Sequence, residues 1–457
     1  MILGDENMQE VVILDPGLRD LAGHHPAILE VLAHSKAVET ADLDIKVYAN
    51  IACSAELLSV FAKSNIEVIP YFTCNFYLHF HSDTKLSSFT SYVKNLTEEY
   101  QHVIYEHRLK PVTFYYHTLH WEHAYSLSLA IKMYQRKNSL HHQHLVSLMF
   151  NPGFCDNQER AIDNKYFKFN LGFISLYRYL ARLMGKLGLS GNQERFIDNR
   201  YFKFNLGFSS LSMQPNVSLF AIDHELMLNY QKMLGNNIGS VPCGSLSQHH
   251  LDEIEHYKKP TKNLLLYAGH AKNSKGFLEL PNLVKTLTKH ICQPTVKFTL
   301  QYTITTNSED LAKVDQLLKE LQIEDSRIVL HTHFLTDSEI HQLWLQTTDV
   351  VINYDETFYQ NLSSGILWLA AAYKTRIFLM TNSWLNREAK RLNCDYHYSP
   401  NLSELKEQLL SSVNNNHTSE LTPSAGDDTY REQLLSDLGA WLSEQINLSK
   451  DNKTTGI

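Results

Sequence analysis

Four short segments concentrate side chains able to move protons or hold negative charge. In the first, Gly23-His24-His25 follows an apolar run and precedes a helical stretch opening near Pro26. A glycine there lets backbone approach a ligand, and the free N–H groups of a helix start attract anions. It is not a GxGxxG fingerprint, and a turn carrying solvated histidines fits the same residues. In the second, His117, His120, Glu122 and His123 fall where a strand runs into a helix. Histidine near neutral pH can transfer a proton or stabilise charge. A zinc site is the rival, but HTLHWEH lacks the HExxH order and no cysteine cluster completes it, so no metal site is expected. In the third, Lys272 and Lys275 stand three apart in GHAKNSKGF, a pair able to grip a diphosphate, although a solvated turn is the plainer reading. In the fourth, Ser363-Ser364-Gly365 opens the apolar stretch GILWLAAAY, offering backbone N–H groups or simply an N-cap. Asp42-Leu43-Asp44 has a DxD look but precedes an early strand and reads as a turn.

The elements that must position these groups follow an α/β pattern, short apolar runs alternating with amphipathic stretches. Strands are expected at 11–15, 44–50, 66–72, 113–120, 144–150 and 217–223, with a helix from Trp121. A polar, charged stretch, 246–262, reads as a connection. A second series then begins, with strands at 263–269, 296–304, 326–332, 349–354 and 376–380. Between the first two, GFLELPNLVKTLTKH is helical, with Pro281 kinking or dividing it. A long terminal helix is expected over 428–446, after a polar, aperiodic segment from 411. Two domains result, 1–245 and 263–457, the terminal helix packing back on the first.

Composition narrows the partners. The 457 residues carry 41 Lys and Arg against 49 Asp and Glu, a net charge of −8. That excludes the basic surface nucleic acid requires. Six cysteines without a CxxC pair suggest reduced thiols and a cytoplasmic setting. The acidic start MILGDENMQE lacks the n- and h-regions of a signal peptide, and no apolar run is long enough to span a bilayer.

One internal repeat stands out. NQERAIDNKYFKFNLGFISL at 157–176 recurs as NQERFIDNRYFKFNLGFSSL at 192–211, with three of twenty positions changed. Two copies do not make a solenoid, and a tandem duplication within a surface insertion is the simpler expectation. Between them, Phe173, Leu176, Tyr177, Leu180, Leu183, Met184 and Leu187 form one apolar helix face flanked by Arg178, Arg182 and Lys186. A helix over 173–189 lying on an anionic membrane would read this way, and so would an ordinary surface helix.

Several of these segments resemble motifs of the GT-B glycosyltransferases, nearest the retaining group called family four. GHAKNSKGF resembles G-x-x-R-x-x-K-G-F, with Lys272 in the arginine slot and Lys275 in the lysine slot. YDETFYQNLSSGILWLAAAYKTRIFL resembles the family's Y-D…Y…S-S-G segment, AGHH its glycine-rich first loop, and YYHTLHWEH its histidine-bearing loop. The resemblance implies two Rossmann-like domains facing across a cleft. It also implies metal-independent, retaining transfer of a hexose from a UDP- or GDP-linked donor, without a further cofactor. The acceptor would be a glycan, a lipid-linked glycan or a protein, reached from the cytoplasm or the inner face of a membrane. Gly269, Lys272, Lys275, Tyr354, Tyr359, Ser363, Ser364 and Gly365 would hold the donor, with Gly23 and His24 closing from the first domain. His120, His117 and Lys275 would take the catalytic roles. Leu369 and Asn361 stand where relatives carry acidic residues, and Lys374 and Arg376 where they carry glycine and proline. A catalytically silent binding protein and a membrane-docking scaffold are the rival readings.

Overall fold

The computed structural model describes residues 9–21, 23–41, 43–78, 86–149, 205–244, 246–259, 262–414 and 428–454. These fall into two compact units. One comprises the chain up to Leu21, Glu39 to Ser240 and the residues from Gln445. The other comprises Ala22 to Val38 and Val241 to Glu444.

The first unit is built on β1 (Gln9–Asp15), β2 (Leu43–Asn50), β3 (Ile66–Phe72), β4 (Thr113–Tyr116), β5 (Gln143–Leu148), β6 (Val217–Ala221) and β7 (Gly239–Ser240). They form one parallel sheet in the order β3-β2-β1-β4-β5-β6-β7. The central runs are buried on both faces, which is why they read as continuous rather than alternating apolar sequence. Tyr100, Tyr116, Leu127, Val146 and Phe208 share its core. The helix His224–Leu234 is cut to length locally: Asp223 caps its start by accepting from Leu226 N at 2.8 Å, and Gly235, at φ 66°, ends it.

The second unit repeats the plan with β8 (Asn263–His270), β9 (Lys297–Thr303), β10 (Ile328–His331), β11 (Asp349–Ile352), β12 (Arg376–Leu379) and β13 (Tyr396–Tyr398). The order is β10-β9-β8-β11-β12-β13, again parallel throughout. In each sheet the strand order reverses beside the first strand of the series, the crevice where open α/β sheets bind ligands.

Several expectations change in detail. The strand expected over 113–120 ends at Tyr116, which leaves His117 to His120 as a loop before the helix Trp121–Gln135. Pro281 divides rather than kinks, seated in the first turn of the helix Leu280–His290 after a short turn over Phe277–Glu279. The segment 246–262 contains the helix Gln248–His256 and belongs to the second unit. The terminal helix is two, Asp428–Leu434 and Leu438–Thr454, because Asp437 stops the first register and caps the second by accepting from Ala440 N at 2.7 Å. The repeat does not lie wholly on the surface. Its last residues, Asn205 to Leu211, are helical, Phe208 and Leu211 enter the core, and a Cβ on Gly207 would meet the Trp121 carbonyl oxygen at 2.3 Å. The rest of the repeat and the helix at 173–189 lie outside the described residues. Asp42 does too, whereas Leu43 and Asp44 open β2.

Burial of a histidine makes the first unit acid-sensitive. His144 is enclosed in the core, stacked on Phe114 at 5.2 Å, with Nδ1 3.0 Å from the Tyr116 hydroxyl. Burial, helped by His142, holds its pKa down to about 3, against 6.5 for a free imidazole. Between those values the unfolded chain binds a proton the folded one refuses, so stability falls as pH drops below about 6.5. This group sets a slope of up to about 1.4 kcal/mol per pH unit. We expect His144→Asn to flatten the pH dependence of the urea midpoint between pH 6.5 and 4, whatever its absolute cost. An unchanged slope would contradict it.

Candidate active site

The sheet of the second unit delivers most of the anticipated residues to one place. β8 ends in Gly269-His270, and the turn Asn273–Lys275 folds directly back over that end. Two glycines make the turn possible. Gly269 sits at φ 107°, and a Cβ there would come within 3.2 Å of Lys275 Nζ, so its missing side chain is the space the ammonium occupies. Gly276 sits at φ 73°, and a Cβ there would lie 2.1 Å from the Asn353 carbonyl oxygen. Asp355 N donates to Ser274 O at 2.9 Å, fastening the turn to the loop after β11. That loop supplies Tyr354 and Tyr359, both buried, with rings 4.4 Å apart.

Lys275 is the unusual member. Its ammonium lies 5.6 Å above the Tyr354 ring, and it makes no hydrogen bond or ion pair with any described residue. Burial, and then the charge of Lys272, lower its pKa to about 8. Lys259 provides the comparison. It too is lowered to about 8 by burial, but its ammonium donates to Tyr373 O at 2.9 Å, to Thr375 Oγ1 at 3.0 Å and to Thr347 O. Lys259 is a satisfied structural cation; Lys275 is desolvated and left without an acceptor, the condition an anion would relieve.

The other anticipated residues of this unit differ in their surroundings. Lys272 is exposed, its backbone N donating to the Tyr267 hydroxyl at 3.2 Å. Ser364 is the N-cap of the helix Gly365–Ala372 but makes no side-chain cap hydrogen bond, Ser363 precedes it, and a Cβ on Gly365 would meet open space. Burial pushes the Tyr354 phenol well above its ordinary range, and the Ser364 hydroxyl opposes that shift without reaching hydrogen-bond geometry with it. Leu369, on the same helix, is half-buried and offers no polar atom; Asn361 Oδ1 accepts from Arg387 at 3.4 Å. One residue that the sequence did not single out joins the group. His270 bonds through Nδ1 to Thr303 Oγ1 at 3.0 Å, and burial with both lysines holds its pKa down. Its adjacency to the lysine segment was the available signal.

The histidine loop divides. His117 Nε2 lies 3.5 Å from Asp15 Oδ2 at the carboxyl end of β1, and His120 caps the helix Trp121–Gln135 while packing on Phe76 at 4.8 Å. His123 is not available for chemistry. Tyr92 Oη is 2.9 Å from its Nε2 and Tyr100 Oη 3.0 Å from its Nδ1, so both nitrogens are committed in the core, which also removes it from any zinc set. Gly23, at φ 87°, precedes the helix His24–Ala33, in which His24 is exposed and His25 buried. Expected with the first series, this segment belongs to the second unit. Ile28 Cδ1 fills the space over Gly244, and Ser35 Oγ donates to Asp437 Oδ1 at 2.6 Å.

Sequence comparison finds no matching family model and no matching curated protein. Structure comparison finds the fold. The glycosyltransferase from Rickettsia africae ESF-5 matches with TM-score 0.56 at 12% identity, over 99% of this chain and 100% of that one. The N-terminal domain of Candida albicans trehalose-6-phosphate phosphatase matches with TM-score 0.53 at 10% identity, over 100% and 98%. The lipopolysaccharide outer core galactosyltransferase WaaB matches with TM-score 0.51 at 10% identity, over 97% and 100%. The chain therefore has the two-domain GT-B fold that its motifs implied. Among the described residues no helix is long and apolar enough to cross a membrane.

The turn is testable independently of any ligand. Gly276→Ala should destabilise the protein by roughly 2 kcal/mol or more, from left-handed backbone strain plus collision with Asn353. Urea denaturation measures it, and a loss below about 0.5 kcal/mol would show that the turn relaxes freely.

Proposed function

We propose that this protein is a glycosyltransferase that moves a hexose from a UDP- or GDP-linked donor to an acceptor hydroxyl, with retention and without a metal. The observation that carries the reading is the desolvated, acceptor-free ammonium of Lys275 at the carboxyl end of β8. The GT-B fold and the motif resemblance support it, but a fold hosts many chemistries and does not by itself decide among them.

In this reading the bond between the anomeric carbon and the donor diphosphate breaks with its electron pair passing to the diphosphate oxygen. A new bond forms from that carbon to the acceptor oxygen, whose proton departs. The barrier lies largely in the charge gathering on the leaving group. Lys275, Lys272 and the N–H groups at the start of the helix Gly365–Ala372 are fixed in advance to receive that charge, and preorganised donors are worth most where water is excluded. Lys275 is charged below about pH 8 and loses its proton above it, so diphosphate affinity should weaken as pH climbs through that value. His120 or His117 would face the sugar.

Lys275→Ala tests the assignment. With a competent donor found from a panel of nucleotide sugars, turnover should fall by roughly 10²–10³. The melting temperature should hold or rise, because the variant removes an unpaired desolvated charge. A variant with wild-type kinetics would remove Lys275 from the site. Donor binding without turnover in the wild type would instead favour the silent-relative reading, which Leu369 and Asn361 motivate.

Metal independence has its own check. Activity should survive EDTA unchanged, since the lysines already supply the positive charge. Loss on chelation, restored by Mg²⁺ or Mn²⁺, would overturn that part of the proposal.

A further inference from the structure

In the chain, β7 is joined to β8 through the helix Gln248–His256, and that helix has little apolar grip. None of residues 249–256 is buried, and its apolar side chains, Leu251 and Ile254, are half-buried. The chain on either side is fixed. Leu246 is buried, and the Lys259 ammonium donates to Tyr373 O at 2.9 Å and Thr375 Oγ1 at 3.0 Å. A segment with few buried apolar groups belongs to the least stable part of a fold and depends on its polar contacts. Here those contacts are two histidines and two acids. His341, on the helix Asp337–Gln346, meets Glu253 Oε2 through Nε2 at 2.9 Å and the Tyr373 hydroxyl through Nδ1 at 2.6 Å. A carboxylate only accepts, so Nε2 carries a proton, and in the neutral ring Nδ1 accepts from Tyr373. His250 answers from the helix itself, its Nε2 3.3 Å from Asp337 Oδ2. The two rings lie face to face, centroids 4.2 Å apart and 20° from parallel. Both side chains are largely enclosed, 12% and 5% exposed, so water screens the pair poorly.

Charges of both signs surround the pair. The helix itself adds His249, its ring 6.1 Å from that of His250, and the exposed Asp252, 3.8 Å from Lys36. The helix His24–Ala33 brings Glu30 within electrostatic reach of Asp337, and its C-cap His34 within reach of His250. Burial holds the His250 pKa below its ordinary value; Asp337 opposes this, and His341, His249 and His34 add to it. The hydrogen bond with His341 keeps the Glu253 carboxyl low. The two signs agree. A released helix takes up protons that the docked helix refuses, so docking weakens as pH falls below about 6.5, and further once Glu253 is neutralised. Glu30 works the other way, because burial and then Asp337 raise its carboxyl.

We propose that the stacked His250–His341 pair is a proton-operated latch on the helix Gln248–His256. With one ring neutral, the two ring–acid pairs hold that helix against the helix Asp337–Gln346. When both rings are charged, two like charges face each other 4.2 Å apart and the helix is released. The latch is independent of the transferase reading. It gives the segment joining the two sheets a local, acid-triggered opening, bounded by the fixed points at Leu246 and Lys259.

Hydrogen–deuterium exchange on the full-length protein reads the latch directly. Peptides over 247–258 are followed from pH 7.5 down to about 5, with rates corrected for the intrinsic pH dependence of amide exchange. Peptides over β8 report on the rest of the same unit. We expect the opening constant of the helix to rise by up to roughly ten-fold per pH unit below 6.5, the effect of one proton, while β8 keeps its protection. His250→Gln keeps a donor for Asp337 but cannot charge, so it should flatten that dependence. NMR of the imidazole carbons in the wild type gives a second reading: His250 should titrate below 6.5, over the same pH range in which the helix opens. Should His250→Gln prove unfolded, that coincidence in the wild type still decides the matter. Protection of 247–258 that tracks β8 at every pH would overturn the proposal. So would an undiminished pH dependence in a folded His250→Gln, or a His250 titration that runs to completion with the helix still protected.

Discussion

A parallel sheet covered by helices on both faces has no room for a reactive side chain along its strands, because every strand atom lies within the core and every backbone polar group is spent on the ladder. Chemistry is driven to the strand ends. Both units obey this constraint. In the first, Val12, Ile13 and Phe114 are wholly buried, polar side chains inside the strands such as Glu10 and His144 are paired there, and further polar residues gather at the strand ends, at Asp15, Asn50 and His117. In the second, Leu264, Leu266 and Phe298 fill the core, and Gly269, His270 and the lysine turn begin at the last residues of β8. The candidate site therefore follows from the topology, and what distinguishes this chain is the charge it leaves uncompensated there.

Charge is otherwise compensated with care. Glu10, buried at the opposite end of β1, is surrounded by Lys46 at 3.1 Å, His107 at 3.1 Å and Lys110 at 2.5 Å, and its carboxyl is held well below the usual range. Glu388, fully buried, receives the Trp368 indole N–H at 3.2 Å, the Tyr430 hydroxyl at 2.6 Å and Arg391 at 3.0 Å. Against that background Lys275 is an exception. Leaving a desolvated cation unpaired costs stability, and such a cost persists where a ligand supplies the missing charge.

Much of this was legible in the sequence, for identifiable reasons. VVILD, NLLLYAG and DVVINY announce strands because two-sided burial demands unbroken apolar runs, and each was found within a residue or two of its expected ends. β13 escaped because it is an edge strand of three residues, two of them exposed, with no apolar run to read. The break in the terminal helix escaped because the apolar period continues across Asp437, whose carboxylate decides the matter through a hydrogen bond to Ala440. In the site, the lysine turn was legible from its glycines and their spacing. That Lys275 would stand there without a partner was not, since sequence has no signal for an absent partner.

The histidines show most clearly where residue type misleads. With 24 in the chain, proton transfer is the first idea that any cluster invites, yet most of the enclosed ones answer to a tyrosine. His123 bonds Tyr92 and Tyr100, His144 bonds Tyr116, His142 bonds Tyr134 at 3.0 Å, and His341 bonds Tyr373 at 2.6 Å while Glu253 holds its other nitrogen at 2.9 Å. The pairing has a physical logic. A buried imidazole needs a partner for each nitrogen, and a buried phenol needs one for its hydroxyl. Joining them satisfies both groups with flat, apolar-bodied side chains that stack within a core, as His144 does on Phe114. Each such pair gives both groups a partner within the core, and His144 among them is kept neutral by its burial. His117 and His120 differ in position: both lie in the loop after β4, beyond the end of the strand ladder. Position at a strand end, more than the identity of the ring, is what separates the histidines suited to chemistry from those that hold the core.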